Sequence, residues 1–147
     1  MKRSIQFPII LLSLSFNLRS QNIPPTIKTE YLQIFIGGRN GTSTTGDVSK
    51  GCVIFFIDSG ANIIEKDCES AKVLSSIKIV TSEPTKFFSN GWSKRLIGYD
   101  PNSPSYSPDG TIILTDFYTI TLKDSRYEVF TELVSGDVSL ATRFFNL

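Results

Sequence analysis

The chain has 147 residues, with 15 Lys and Arg against 14 Asp and Glu, and lacks the clustered basic surface that nucleic-acid binding requires. It contains no histidine, which excludes Ser-His-Asp and Cys-His catalysis and any His-ligated zinc site. Hydrophobic residues at 40% and charged residues at 20% give the balance of a globular chain rather than a disordered one.

Residues 1–20 read as a secretory signal peptide. Lys2 and Arg3 precede an apolar run over residues 5–16 (IQFPIILLSLSF), and a polar exit follows at residues 17–22. The run falls short of the roughly 20 residues a bilayer span needs, and Pro8 interrupts it. Ser15 and Ser20 both offer a small residue at the cut, and Ser20 is the favoured site. Cleavage there removes Lys2, Arg3 and Arg19 and leaves twelve basic residues against 14 acidic, a net charge of −2. The expected mature product is a single domain over residues 21–147, secreted to the extracellular space and without a transmembrane anchor.

Residues 29–36 (TEYLQIFI) alternate as a strand does, with Leu32, Ile34 and Ile36 on one face and Thr29, Tyr31, Gln33 and Phe35 on the other. Residues 37–51 form a polar Gly/Ser/Thr-rich loop carrying one N-glycosylation sequon at Asn40. Residues 52–58 (CVIFFID) form the next strand, apolar on both faces between positions 53 and 57, as a strand covered on each side would be. A turn at residues 59–62 returns the chain along residues 63–67.

Cys52 and Cys68 each lie eight residues from Gly60. A hairpin centred on that glycine sets the two cysteines opposite each other, and an oxidising compartment would close them into a disulfide. A two-residue turn at Gly60-Ala61 would instead pair Cys52 with Glu69, so the pairing demands a bulge or a three-residue loop. A non-hydrogen-bonded cross-strand pair, about 4.5 Å between Cα atoms, is the expected geometry.

Residues 69–76 suit one or two helical turns before a strand at residues 77–81, and residues 95–99 form another short strand. Three prolines make residues 100–110 a long loop. Residues 111–122 and 126–134, joined through Lys123-Asp124-Ser125, make the clearest hairpin, and residues 138–145 close the chain as a last strand. Seven or eight short strands predict an all-β, antiparallel β-sandwich, with a closed barrel as the alternative.

The segment at residues 31–62 resembles the opening of PLAT domains, the β-sandwiches of lipid-associated proteins, where a strand enters a Gly-Thr loop and a second strand ends in Gly. The likeness covers about a quarter of the chain, and Ser49 to Gly51 interrupt it. It implies a sandwich and a lipid-facing role.

The enzymatic routes left to such a chain use paired carboxylates, lysine, tyrosine or a hydroxyl. Asp109, Asp116, Glu128 and Glu132 supply carboxylates, but Glu128 and Glu132 on one strand stand roughly 13 Å apart, too far for a glycosidase pair. Glu65, Asp67 and Glu69, and the loop bearing Asp100, Asn102 and Asp109, offer oxygen ligands without the spacing of a calcium loop, so no metal or other cofactor is assigned. Phe87, Phe88, Trp92, Tyr99 and Tyr106 gather aromatics around turns and a proline-rich loop, with Lys86, Lys94 and Arg95 beside them. The same aromatics would equally well plug the end of the core. Taken as a contact surface, they point to a binding module for a protein, glycan or lipid partner, with a small carboxylate-dependent hydrolase or a self-associating extracellular structural protein as alternatives. Self-association would run through an exposed strand such as residues 111–122.

Overall fold

A computed structural model describes residues 22–38 and 43–147, so the signal segment and the Asn40 sequon lie outside the described residues. Twelve strands and no helix occur among them: β1 (Thr26–Gly38), β2 (Ser43–Thr45), β3 (Ser49–Asp58), β4 (Asn62–Asp67), β5 (Val73–Ser82), β6 (Lys86–Phe88), β7 (Gly91–Tyr99), β8 (Ser105–Tyr106), β9 (Ile112–Ile113), β10 (Asp116–Lys123), β11 (Arg126–Ser135) and β12 (Val138–Phe145). Eight of them pair in a closed antiparallel ring, β1-β3-β4-β5-β7-β10-β11-β12, which returns to β1. The architecture is therefore the closed barrel rather than a two-sheet sandwich, and the PLAT-like arrangement does not form. Each barrel strand neighbours the next in sequence, so no Greek-key crossover is needed; closure leaves no barrel strand with a bare edge.

The hairpin turns explain the register. Asp58 faces Asn62, so β3 and β4 are joined by the three-residue loop Ser59-Gly60-Ala61, closed by the Ala61 N–H donating to the Asp58 carbonyl at 2.8 Å. That loop brings Cys52 opposite Cys68, and the disulfide is formed with the Cα atoms 5.4 Å apart. The Cys68 N–H donates to the Cys52 carbonyl at 3.2 Å, so the pair sits at hydrogen-bonded spacing, about 5.5 Å, rather than the narrower one expected. Between β10 and β11, Lys123 faces Arg126 and the two turn residues Asp124 and Ser125 have φ of 50° and 65°. Two consecutive positive φ values are the signature of the type I′ turn, whose twist matches that of the flanking strands.

Three local expectations are corrected. The β1–β3 register shifts between Thr29 and Tyr31, a bulge that moves Thr29 onto the same inner face as Leu32; it is fully buried and donates through Oγ1 to the Val53 carbonyl at 3.1 Å. Residues 69–76 make a turn and then the start of β5, with Ala71 at φ 58° and no helical turn. On β3 the core side is buried at Val53, Phe55 and Ile57, but Phe56 on the other side is exposed beneath the Lys66 ammonium, 5.2 Å from its ring centre. A single barrel wall has one covered face, so a strand apolar on both sides need not be sandwiched.

The interior is filled from every wall: Ile27, Phe55, Ile57, Ile63, Ile77, Trp92, Leu96, Tyr118, Ile120, Val129 and Phe144 form one packed cluster. Eight strands leave an interior just wide enough for side chains or one small ligand. Phe55 is the hub, with edge-on contacts to Phe144 at 5.0 Å and Tyr118 at 6.4 Å.

Candidate functional site

The two ends of the barrel differ. At the end carrying the start of β1 and the β10–β11 turn, Trp92 is 3% exposed and packs edge-on to Tyr127, with Ile23 and Leu122 completing a plug. At the other end the apolar residues thin out with no cover among the described residues. Directly paired residues share a face of the sheet. The pairs Leu32–Phe144, Ile34–Thr142 and Ile36–Leu140 run up the β1–β12 seam, and Phe144–Val129, Thr142–Thr131 and Leu140–Leu133 run up β12–β11. Phe144 and Val129 are core, so Ile34, Ile36, Leu133 and Leu140 point inward too. Yet Ile36 is 53% exposed and Leu133 44% exposed. These side chains wall an open mouth.

Below that mouth lies a cavity of about 190 Å3, lined by Glu65, Ser75, Asp116, Tyr118, Thr131, Glu132, Leu133, Leu140, Thr142 and Phe144. Glu65 enters it because Phe55–Glu65 and Ile57–Ile63 pair on the inner face of β3 and β4. Its neighbour on β5 is Ser75. From β10, the Tyr118 hydroxyl donates to Glu65 Oε1 at 3.1 Å and lies 3.5 Å from Ser75 Oγ. Asp116, two residues earlier on the same face of β10, accepts from the Thr115 hydroxyl at 2.8 Å.

The electrostatics follow from this placement. Burial pushes the Glu65 carboxyl up to about 7; the Tyr118 hydrogen bond opposes the rise and the Asp116 charge adds to it. Burial likewise raises the Asp116 carboxyl, with the nearby Asp100 adding to the rise and the Thr115 hydrogen bond opposing it. The Tyr118 phenol is raised by burial first and by the Glu65 charge second, so it stays a hydrogen-bond donor at any ordinary pH. A half-protonated carboxyl near neutrality, held by a phenol and facing a cavity, is a hydrogen-bonding head-group site or an acid–base group.

The aromatic candidates do not form one surface. Phe87 and Phe88 are exposed on β6, Tyr106 is exposed on the small β8–β9 hairpin, Tyr99 is half-buried at the end of β7, and Trp92 is core. Of the flanking cations, Arg95 is held on the outer wall by Glu83 and Glu132, each at 3.3 Å, with Phe117 beneath its guanidinium.

Four of the other candidate carboxylates, Glu128, Asp109, Asp67 and Asp100, are engaged locally. Glu128 pairs with Arg143 across β11 and β12. Asp109 accepts from Ser107 and Thr111 within its turn, which holds its carboxyl down at about 2. Asp67 accepts the backbone N–H groups of Glu69 and Ser70, both at 2.9 Å, and Asp100 that of Asn102 at 2.8 Å, as turn-forming carboxylates do. No group of three or more metal-ligating side chains gathers among the described residues. Residues 111–122 do not make one bare strand: they break at Leu114-Thr115, and β10 is paired along both edges.

Sequence reasoning named Glu65 and Asp116 separately and passed over Tyr118 and Ser75. Glu65 and Tyr118 are 53 residues apart, and only ring closure brings β4 and β10 to face across one interior. A usable signal was present in β4: inward Ile63 sets Glu65 two residues on, a carboxylate at a core position.

Compared with known proteins, the chain matches no family, no curated protein and no solved structure.

Proposed function

We infer that the protein is a secreted binding module whose ligand is a small amphiphile held in the open mouth of the barrel. One observation carries the reading: the inward residues Ile34, Ile36, Leu133 and Leu140 stay exposed above a polar floor of buried Tyr118 and half-buried Glu65 and Ser75. Apolar side chains left about half exposed on the inner wall of a closed barrel form a surface that an apolar ligand can cover. The cavity of about 190 Å3 is smaller than the roughly 300–1,000 Å3 of sites that enclose a whole drug-sized molecule, so it suits a polar head with an apolar tail lying along the mouth. Secretion is supported by the charged-then-apolar order of residues 1–20 and by the Cys52–Cys68 disulfide.

The test is a titration of the purified protein with 1-octanol, followed by amide chemical shifts. The reading expects saturable shifts at Ile36, Leu133, Leu140 and Thr142, abolished by Leu140→Glu. Shifts confined to Phe87, Phe88 and Tyr106, or no saturable shift, would sink it.

A second reading has one observation in its favour: Glu65 titrates near 7 beside a phenol, which suits a general acid or base acting on an occupant of the same mouth. Recovering the occupant chemically unchanged after long incubation separates binding from turnover.

A further inference from the structure

We propose that the polar end of the ligand is a cation, a protonated amine that meets the Glu65 and Asp116 carboxyls and lies against the Tyr118 and Phe144 rings. The proposal rests on the barrel-mouth reading and names the class of head group that mouth selects. Four features of the cavity lining converge on it. Two carboxyls, Glu65 from β4 and Asp116 from β10, open into one space of about 190 Å3. Among the described residues lining that space none is Lys or Arg, so neither carboxyl is neutralised from within it. Glu132, the third acidic residue on the lining, is engaged by Arg95 on the outer wall. Two aromatic side chains complete the floor, and a ring face attracts a cation by its quadrupole, by about 0.5–2 kcal/mol.

The same lining rejects an anion. A ligand carboxylate would enter beside two acidic groups with no countercharge to meet, at a site where water screens poorly. A neutral hydroxyl would find partners in Tyr118, Ser75, Thr131 and Thr142, but it would leave the carboxyl pair uncompensated. An ammonium group offers three donors and the missing charge.

Binding then moves a proton. In the empty site the Glu65 carboxyl holds its proton up to near neutrality, since burial and Asp116 both disfavour its charge. The polar groups that share its cavity are Tyr118 and Asp116 from β10, Ser75 from β5, Thr131 and Glu132 from β11 and Thr142 from β12; its cross-strand partner on β3 is Phe55. A bound ammonium makes the charged carboxylate favourable, so the Glu65 O–H releases its proton to solvent as the ion pair forms. Apart from that O–H bond, whose proton passes to water or buffer, no covalent bond breaks or forms.

The experiment compares three eight-carbon probes, octylammonium, 1-octanol and octanoate, by isothermal titration calorimetry at pH 6 and pH 9 in buffers of different ionisation enthalpy. Octylammonium should bind at least tenfold more tightly than 1-octanol, and octanoate most weakly. Near one proton should be released per octylammonium bound at pH 6 and none at pH 9. Glu65→Gln, a near-isostere of the protonated form, should erase the proton release and weaken octylammonium binding, and combining it with Asp116→Asn should bring the amine down to the affinity of the alcohol. Equal binding of amine and alcohol by the parent, or an amine preference undiminished when Glu65→Gln and Asp116→Asn are combined, would overturn the cation assignment and leave the barrel mouth as the site. If none of the three binds, the mouth reading itself fails.

Discussion

At the scale of single residues, Glu65 is where the chain departs from simple core packing, and the departure has a stability consequence. Burial pushes its carboxyl up to about 7 in the folded protein, against the ordinary 4.5 of a solvated glutamate in the unfolded chain. Between those pH values the folded state keeps a proton that the unfolded chain has lost. Stability therefore falls as pH rises from about 4.5 to 7, and the deficit persists above. At about 1.4 kcal/mol per unit the full effect is at most about 3 kcal/mol, less to the extent that the open mouth admits water. Glu65→Gln should be more stable than the parent by about 1–3 kcal/mol at pH 8 and equal to it near pH 4.5, by urea denaturation. A parent whose stability is flat from pH 5 to 8 would mean that Glu65 is solvated rather than held in the cavity floor. Asp109 works in the opposite sense: its lowered carboxyl favours the folded state above about 3.8, and that contribution is lost as pH falls towards 2.

The cysteine pair shows what a sequence can disclose at the next scale, that of the element. Equal spacing about Gly60 predicts both the hairpin and the need for a three-residue loop, because both are local and depend only on counting along two strands. The β10–β11 hairpin is legible for the same reason. The bulge in β1 is not: the sequence alternates smoothly through Thr29 to Ile36, and the break in phase arises because β1 must pair with β3 and β12 along different stretches. The aromatic segment misleads similarly, since Phe87 and Trp92 face each other on β6 and β7 but only Trp92 lies over the barrel's interior. The disulfide staples the β3–β4 hairpin across a separation of 16 residues, for which the loss of unfolded-chain entropy amounts to about 3 kcal/mol. Replacing both cysteines with serine should lower unfolding free energy by about 2–4 kcal/mol, by urea denaturation. A loss under about 1 kcal/mol would mean that the paired hairpin already persists in the unfolded chain.

For the whole molecule, closure decides both stability and site. A sandwich and an up-and-down barrel draw on the same short strands and turns, so the strand pattern alone leaves them level; the distinguishing contacts are the long-range seams β12–β1 and β7–β10. Each of those seams carries eight register pairs, as does the local β10–β11 hairpin. The weakest wall lies elsewhere. β5 meets β7 in four pairs interrupted by a register shift between Ile79 and Thr81, and beyond Ser82 the edge breaks at Glu83-Pro84-Thr85 before β6 resumes it. Pro84 has no N–H to donate there. Local opening follows the ladders with the fewest bonds and least burial. Native-state hydrogen exchange should therefore find the β5 amides at residues 80–82 opening at lower free energy than those of β10, β11 and the β12–β1 seam. The seam should exchange as slowly as the hairpin, because in a ring neither can part without exposing Phe55, Phe144 and Val129. Faster exchange along β12 than along β5 would mean that the ring opens at its termini, and the apolar mouth built on Leu140 and Ile36 would then be a fraying edge rather than a standing wall.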